Sequence, residues 1–222
     1  MIKAVFFDLD ETLIDASLCH SEASRMAFKK FDINYDEAKE KTQNCDFCGM
    51  RIIDIIAARL KALKIPEQQA PLKKIAAERE RIFLKLVTQK AKLLPGARQA
   101  LVKAKVGTET VAVVSSGTRK YIKLALKQFK LEKYVDFIVG SKDVKRGKPF
   151  PDCYQQAYQQ LRPKQNIKKN EVLVVEDSAN GVKAAKTAGL KILLVSLIKQ
   201  RLDIKPDWQL VSLEKFDMAL FN

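Results

Sequence analysis

The sequence predicts a doubly wound α/β fold on a parallel sheet, with an all-helical segment inserted near its start. Three observations carry that reading. Apolar runs with strand character, "IKAVFFD", "TVAVVSS", "DFIVGS", "EVLVVED" and "KILLVS", are continuous rather than alternating, as strands buried on both faces must be. Helical patterns separate the later runs, and strands alternating with helices indicate a wound parallel sheet. Residues 16 to about 91 break the rhythm with amphipathic helical stretches and no convincing strand.

In chain order, the first run ends in "DLDETLID", which sets Asp8, Asp10, Glu11 and Asp15 close together. Neighbouring carboxylates repel, and partial burial raises the cost, so a cation or a reaction must need them. The helical stretches "SEASRMAFKKF", "MRIIDIIAARLKAL" and "PLKKIAAERERIFLKLV" follow, where Arg79 and Arg81 either face a cleft or coat a helix, the second reading being preferred. "LLPGARQAL" restarts the core, with Pro95-Gly96 as a turn before a helix. "TRKYIKLALKQF" and "PDCYQQAYQQL" are the next helices, and "SANGVKAAKTAG" has Ser178 as N-cap and Gly189 as its C-terminal stop. The organisation expected is a Rossmann-like core of residues 1–15 and 92–222, carrying a helical cap over 16–91. No internal repeat or low-complexity segment interrupts it.

At 222 residues, 47% hydrophobic and 30% charged, the chain has the profile of a soluble globular protein with room for one core and a smaller inserted module. No apolar run approaches the roughly 20 residues of a membrane-spanning helix. The opening "MIKAVFFDLD" is too short a stretch for a signal peptide and is interrupted by Asp8, so the cytoplasm is the expected location. The net charge of +15 invites a nucleic-acid reading, but the lysines are spread along the chain without an RNA-binding signature or a basic arm with interleaved aromatics. A solvated surface that draws anionic small molecules accounts for the charge. Cys45 and Cys48 in "NCDFCGM" have C-x-x-C spacing, yet the only histidine, His20, lies beside Cys19 and no second ligand pair exists for zinc. With Cys153 they are read as incidental free thiols.

Ligands of open α/β sheets bind at the carboxyl ends of the strands. The first strand is followed by Asp8 and Asp10, the second by Ser115 and Ser116, the third by "KDVKRGKPFPD" with Lys148, and the fourth ends in Glu176-Asp177. A hard cation such as Mg²⁺ takes oxygen ligands, which Asp8, a backbone carbonyl near Asp10, and Asp177 can supply, with Glu176 either ligating or acting from behind. Lys148 can neutralise a nucleophilic carboxylate and a bound phosphate. Ser115, with the amides after it, can donate to phosphate oxygens. The sum is a site for a dianionic phosphoryl group.

These residues resemble the haloacid dehalogenase superfamily of phosphotransferases, in the branch containing β-phosphoglucomutase and phosphoglycolate phosphatase. The family's motifs read, in family order, as "DLDETL", "VVSSG", "GKPFPD" and "VVEDSANG", and the C-terminal "KPDWQLVSLEKF" resembles its final segment. The resemblance implies that Asp8 attacks phosphorus to form an aspartyl phosphate, and that Asp10 protonates the leaving oxygen and then deprotonates the hydrolytic water. Glu11 departs from the glycine common in this branch.

The resulting expectation is a Mg²⁺-dependent phosphomonoester hydrolase acting on a small phosphorylated metabolite, with no membrane partner. Thr12 and Ser116 are read as substrate-binding. His20 lies where β-phosphoglucomutase has a histidine near the hinge. Arg51 either faces the substrate or is solvated at a helix start. Two alternatives stay open: a sugar-phosphate mutase of the β-phosphoglucomutase type, from which Thr12 leans away, and a non-catalytic basic module that binds anions or nucleic acid. Oligomeric state has no signature in the chain.

Overall fold

The computed structural model describes residues 1–42, 47–66, 68–161, 166–196 and 202–221. The elements run β1 (Ala4–Phe7), β2 (Ile14–Asp15), α1 (Ser17–Lys29), α2 (Tyr35–Glu40), α3 (Ile52–Ala62), α4 (Leu72–Lys90), β3 (Lys92–Leu93), α5 (Ala97–Gly107), β4 (Thr110–Val114), α6 (Arg119–Gln128), β5 (Phe137–Val139), α7 (Asp152–Leu161), β6 (Val172–Glu176), α8 (Ala179–Ala188), β7 (Lys191–Val195) and β8 (Trp208–Leu210). Six strands form one sheet in the order β5-β4-β1-β6-β7-β8, parallel throughout. The chain thus winds outward from β1 in both directions, the doubly wound topology expected.

Strand periodicity builds the two layers. Val5 and Phe7 face one apolar cluster with Val111, Val113, Leu173 and Val175, covered by α5 and α6. Ala4 and Phe6 face the other with Ala112, Val114, Val172 and Val174, covered by α7 and α8. Side chains alternate across a strand, so burial on both sides requires the continuous apolar runs seen in the sequence. Ser178 caps α8 by accepting from Gly181 N at 3.1 Å, and Gly189 ends it in the left-handed region at φ 81°.

The first four helices form a block with its own apolar cluster around Phe28, Tyr35, Ile56 and Ile75. Faces of α1 and α4, including Ala23, Ala27, Phe83 and Val87, join the cluster beneath the sheet instead. The block begins and ends at a two-residue antiparallel ribbon, in which Ile14 pairs Leu93 and Asp15 pairs Lys92. This ribbon, the short helix α2 and the edge strand β8 had no counterpart in the sequence reading. Glu11, just before the ribbon, has φ 58°. That left-handed conformation suits glycine and costs another residue about 1–2 kcal/mol; here the Glu11 carboxylate accepts from Ala16 N at 3.2 Å.

Candidate active site

The site forms where β1, β4 and β6 lie side by side, and Lys148 ties their ends together. Its side chain is buried, at 1% exposure, in the loop before α7. An ammonium has three N–H donors, and here each strand end takes one. Nζ donates to Asp8 Oδ1 after β1 at 2.5 Å, to the Val114 carbonyl of β4 at 3.4 Å, and to Glu176 Oε1 at the end of β6. Asp8 is itself fixed by its N–H, which donates to the Val175 carbonyl at 2.9 Å.

Both oxygens of Glu176 are occupied. Tyr154 donates to Oε1 at 2.6 Å, while the Asp177 N–H, the Ser178 N–H and the Ser178 hydroxyl donate to Oε2 at 3.2, 3.3 and 3.1 Å. Thr12 Oγ1 donates to Asp177 Oδ1 at 3.3 Å. Oxygens of Asp8, Glu176 and Asp177 all lie within 4.8 Å of one another. One ammonium faces these three carboxylates, so negative charge is in excess. Burial pushes Asp8 up to about 8 against the pull of Lys148, and Glu176 adds to the rise. Burial, then Glu176 and Asp8, also hold Asp177 well above the usual carboxylate range. Burial alone would lower Lys148, but Asp8 and Glu176 keep it well above its ordinary value. A buried, electron-rich set of oxygen donors is what a hard divalent cation fits.

The Asp10 side chain has its own partners, apart from the Lys148 network. Its Oδ1 accepts from the Tyr121 hydroxyl, and His20 Nε2 lies 3.5 Å from the same oxygen. Arg79 Nη2 is 2.5 Å from His20 Nδ1, with its guanidinium 4.3 Å from the Phe83 ring centre. Burial would raise Asp10, but His20, Tyr121 and Arg79 together hold it below its ordinary value. Arg79 corrects the expectation of a helix-coating residue: it is 3% exposed. Arg81 does lie on the surface, paired with Glu78.

The remaining candidates sit along the seam between the helical block and the sheet. Ser115 is buried at the end of β4 and accepts from Gly117 N at 3.0 Å. Ser116 donates to the Gly49 carbonyl at 2.6 Å, and Asn180 donates to the Cys48 carbonyl at 2.8 Å. Arg51 forms a two-pronged pair with Asp54, at 2.8 and 3.0 Å, and reaches across to the Lys145 carbonyl at 3.0 Å. Thr118 donates to Glu80 at 2.6 Å. Arg51, partly exposed at the start of α3, joins the block to the loop that carries Lys148. Of the cysteines, Cys48 is exposed and Cys19 and Cys153 are buried free thiols, while Cys45 lies outside the described residues.

Gly181 was not singled out from the sequence, although it stands within "VVEDSANG". A Cβ added there would lie 1.9 Å from Glu176 Cδ and 2.0–2.1 Å from its oxygens, so only glycine lets the first turn of α8 approach that carboxylate. Gly181→Ala is expected to cost about 1–3 kcal/mol, as overpacking does, read by thermal denaturation. Glu176 can give way there only by disturbing its bond to Lys148.

The profile of haloacid dehalogenase-like hydrolases matches residues 5–195. A phosphorylated carbohydrates phosphatase from Thermotoga maritima is 30% identical over 191 residues, covering 86% of this chain and 83% of its own. A validoxylamine A 7'-phosphate phosphatase from Streptomyces hygroscopicus subsp. limoneus is 27% identical over 202 residues, covering 86% and 84% respectively. Among solved structures, CbbY from Rhodobacter sphaeroides in complex with phosphate shares the fold at a TM-score of 0.83 and 23% identity, with 99% of this chain and 98% of that one aligned.

Proposed function

Because the chain belongs to the haloacid dehalogenase-like hydrolase family and is an enzyme of its phosphatase type, we propose that it hydrolyses the monoester of a small phosphorylated carbohydrate, with Mg²⁺ and through an aspartyl phosphate on Asp8. One observation carries the chemistry. A buried carboxylate, Asp8, is held by Lys148 beside an acidic cluster, while a second, Asp10, is anchored separately two residues on. Two carboxylates in different environments suit two roles. The names of the similar phosphatases support a carbohydrate as the leaving group.

In the first step an Asp8 oxygen attacks phosphorus as the ester P–O bond breaks, and Asp10, which must first take up a proton against the pull of His20, Tyr121 and Arg79, gives that proton to the departing alkoxide oxygen. In the second, Asp10 takes a proton from water, whose oxygen attacks phosphorus and releases inorganic phosphate and free Asp8. Lys148 offsets the charge of Asp8 and the phosphoryl oxygens, and the Ser115 hydroxyl, with the Ser116 backbone N–H after it, would donate to those oxygens. Asp8, Asp177 and the Asp10 backbone carbonyl would hold the cation, with Glu176 keeping Lys148 in place. When bound, Mg²⁺ supplies positive charge to the phosphoryl oxygens. The helical block excludes water from the transfer and reads the organic part of the ester.

The test is phosphate release from a panel of sugar, polyol and other small phosphate esters. At least one should turn over, with release abolished by excess chelator and restored by Mg²⁺. Protons and cation compete for Asp8 and Asp177, so the rise in Tm on adding Mg²⁺ should grow as pH climbs toward about 8. Full activity in excess chelator, or a Tm indifferent to Mg²⁺ at every pH, would remove the metal from the proposal.

A further inference from the structure

We infer that Tyr121 is a positioning residue for Asp10: its hydroxyl fixes one carboxylate oxygen so that the other is presented to the ester oxygen. This rests on the proton-transfer role proposed above for Asp10. Among the described residues, the side-chain partners of Asp10 converge on Oδ1. Tyr121 donates to it, and His20 Nε2 approaches it at 3.5 Å. With Oδ1 anchored, rotation of the carboxyl group is blocked and Oδ2 remains for the proton transfer.

The anchor is itself immobilised. Tyr121 is 2% exposed at the first turn of α6. Its N–H donates to Thr118 Oγ1 at 3.3 Å, and a Cβ at Gly117 would lie 2.6 Å from Tyr121 Cδ1, so the ring is pressed against that backbone. On the opposite side of the seam, Phe83 of α4 meets the ring edge-on, with centroids 4.8 Å apart at 66°. Phe83 also stacks near His20, at 4.3 Å. One aromatic side chain of the helical block therefore braces both groups that hold Asp10. Glu80, on the same helix, accepts from the Thr118 hydroxyl that caps α6. Asp10, Tyr121 and α4 are thus packed against one another in turn.

The test exploits leaving-group basicity. Benzyl phosphate and p-nitrophenyl phosphate are similar in size, but the first releases a strongly basic alkoxide that needs a proton and the second a weakly basic phenolate that needs little help. The ratio kcat/KM runs only to departure of that group, so it isolates the acid step. Tyr121→Phe removes one hydroxyl and nothing else, and a thermal melt registers its folding. It is expected to lower kcat/KM for benzyl phosphate by about tenfold or more, within the range that misplaced groups lose. A benzyl loss at least five times the nitrophenyl loss supports the inference, and losses closer to parity, or none, overturn it. Phe83→Leu should show the same selective loss from the other side of the seam. Asp10→Asn reads the underlying role separately. If that variant still turns over benzyl phosphate, Asp10 is not the acid; if it does not, and Tyr121→Phe remains unselective, only the positioning role of Tyr121 fails.

Discussion

Asp8→Asn should abolish phosphate release, by at least about three orders of magnitude, while leaving a folded protein. The amide is close in shape to the carboxylate, so packing at the end of β1 is preserved. It lacks the anionic oxygen that must bond to phosphorus. Lys148 keeps Glu176 as its partner. The same change should stabilise the metal-free protein near neutral pH. The folded value of Asp8 is raised to about 8 from an ordinary 3.8, so its contribution to stability is fully present below the lower value and is lost as pH rises through the upper one. Removing the titrating group removes that slope. Denaturation curves of both proteins across this pH range, without Mg²⁺, should diverge as pH rises. Substantial turnover by a pure, folded Asp8→Asn sample would take the nucleophile elsewhere.

Lys148→Met should be the most destabilising change at the site. Methionine matches the lysine stem in size but has no charge, which leaves Asp8 and Glu176 buried without their shared counterion. Breaking a buried pair by deleting one partner costs about 3–5 kcal/mol, because the desolvation of the survivors is no longer offset. Three strand ends also lose the donor that joins them. Urea denaturation should show the loss at neutral pH and a partial recovery in acid, where the carboxylates are protonated. The double variant Lys148→Met, Glu176→Gln should be less destabilised than Lys148→Met alone, since one surplus charge is gone. A loss under about 1 kcal/mol would mean that the pair is not the strut described here.

The central strands were legible because burial on both faces demands unbroken apolar runs, and the acidic residues were legible because they interrupt those runs where β1 and β6 end. The edge strand β8 was not. Trp208, Gln209 and Leu210 are only partly buried, so selection for a continuous run is absent there. The two-residue ribbon is too short to have a period at all. Arg79 is a different case, since a signal was present and its residue type masked it. It shares the buried stripe of α4 with Ile75, Ile82, Phe83 and Leu86, at the spacing of one helix face, and a charged group on that stripe needs a partner. Tyr121 falls likewise on the buried face of α6. Its bond to Asp10 joins residues far apart in the chain, and no local pattern encodes such a meeting.

The central place of β1 bears on how the chain comes to be folded. Ala4 pairs with Thr110 on one side and with Val172 on the other, so of the strands in this sheet β1 waits longest for its neighbours. During translation its "AVFF" segment waits without hydrogen-bonding partners, while the helices that follow can already gather around Phe28 and Ile56. Pairings so remote in sequence are slow to form and expose sticky backbone in the interval. Variants that weaken β4 or β6 are therefore expected to show their damage first as poor yield from the ribosome, with the purified remainder melting close to the parent.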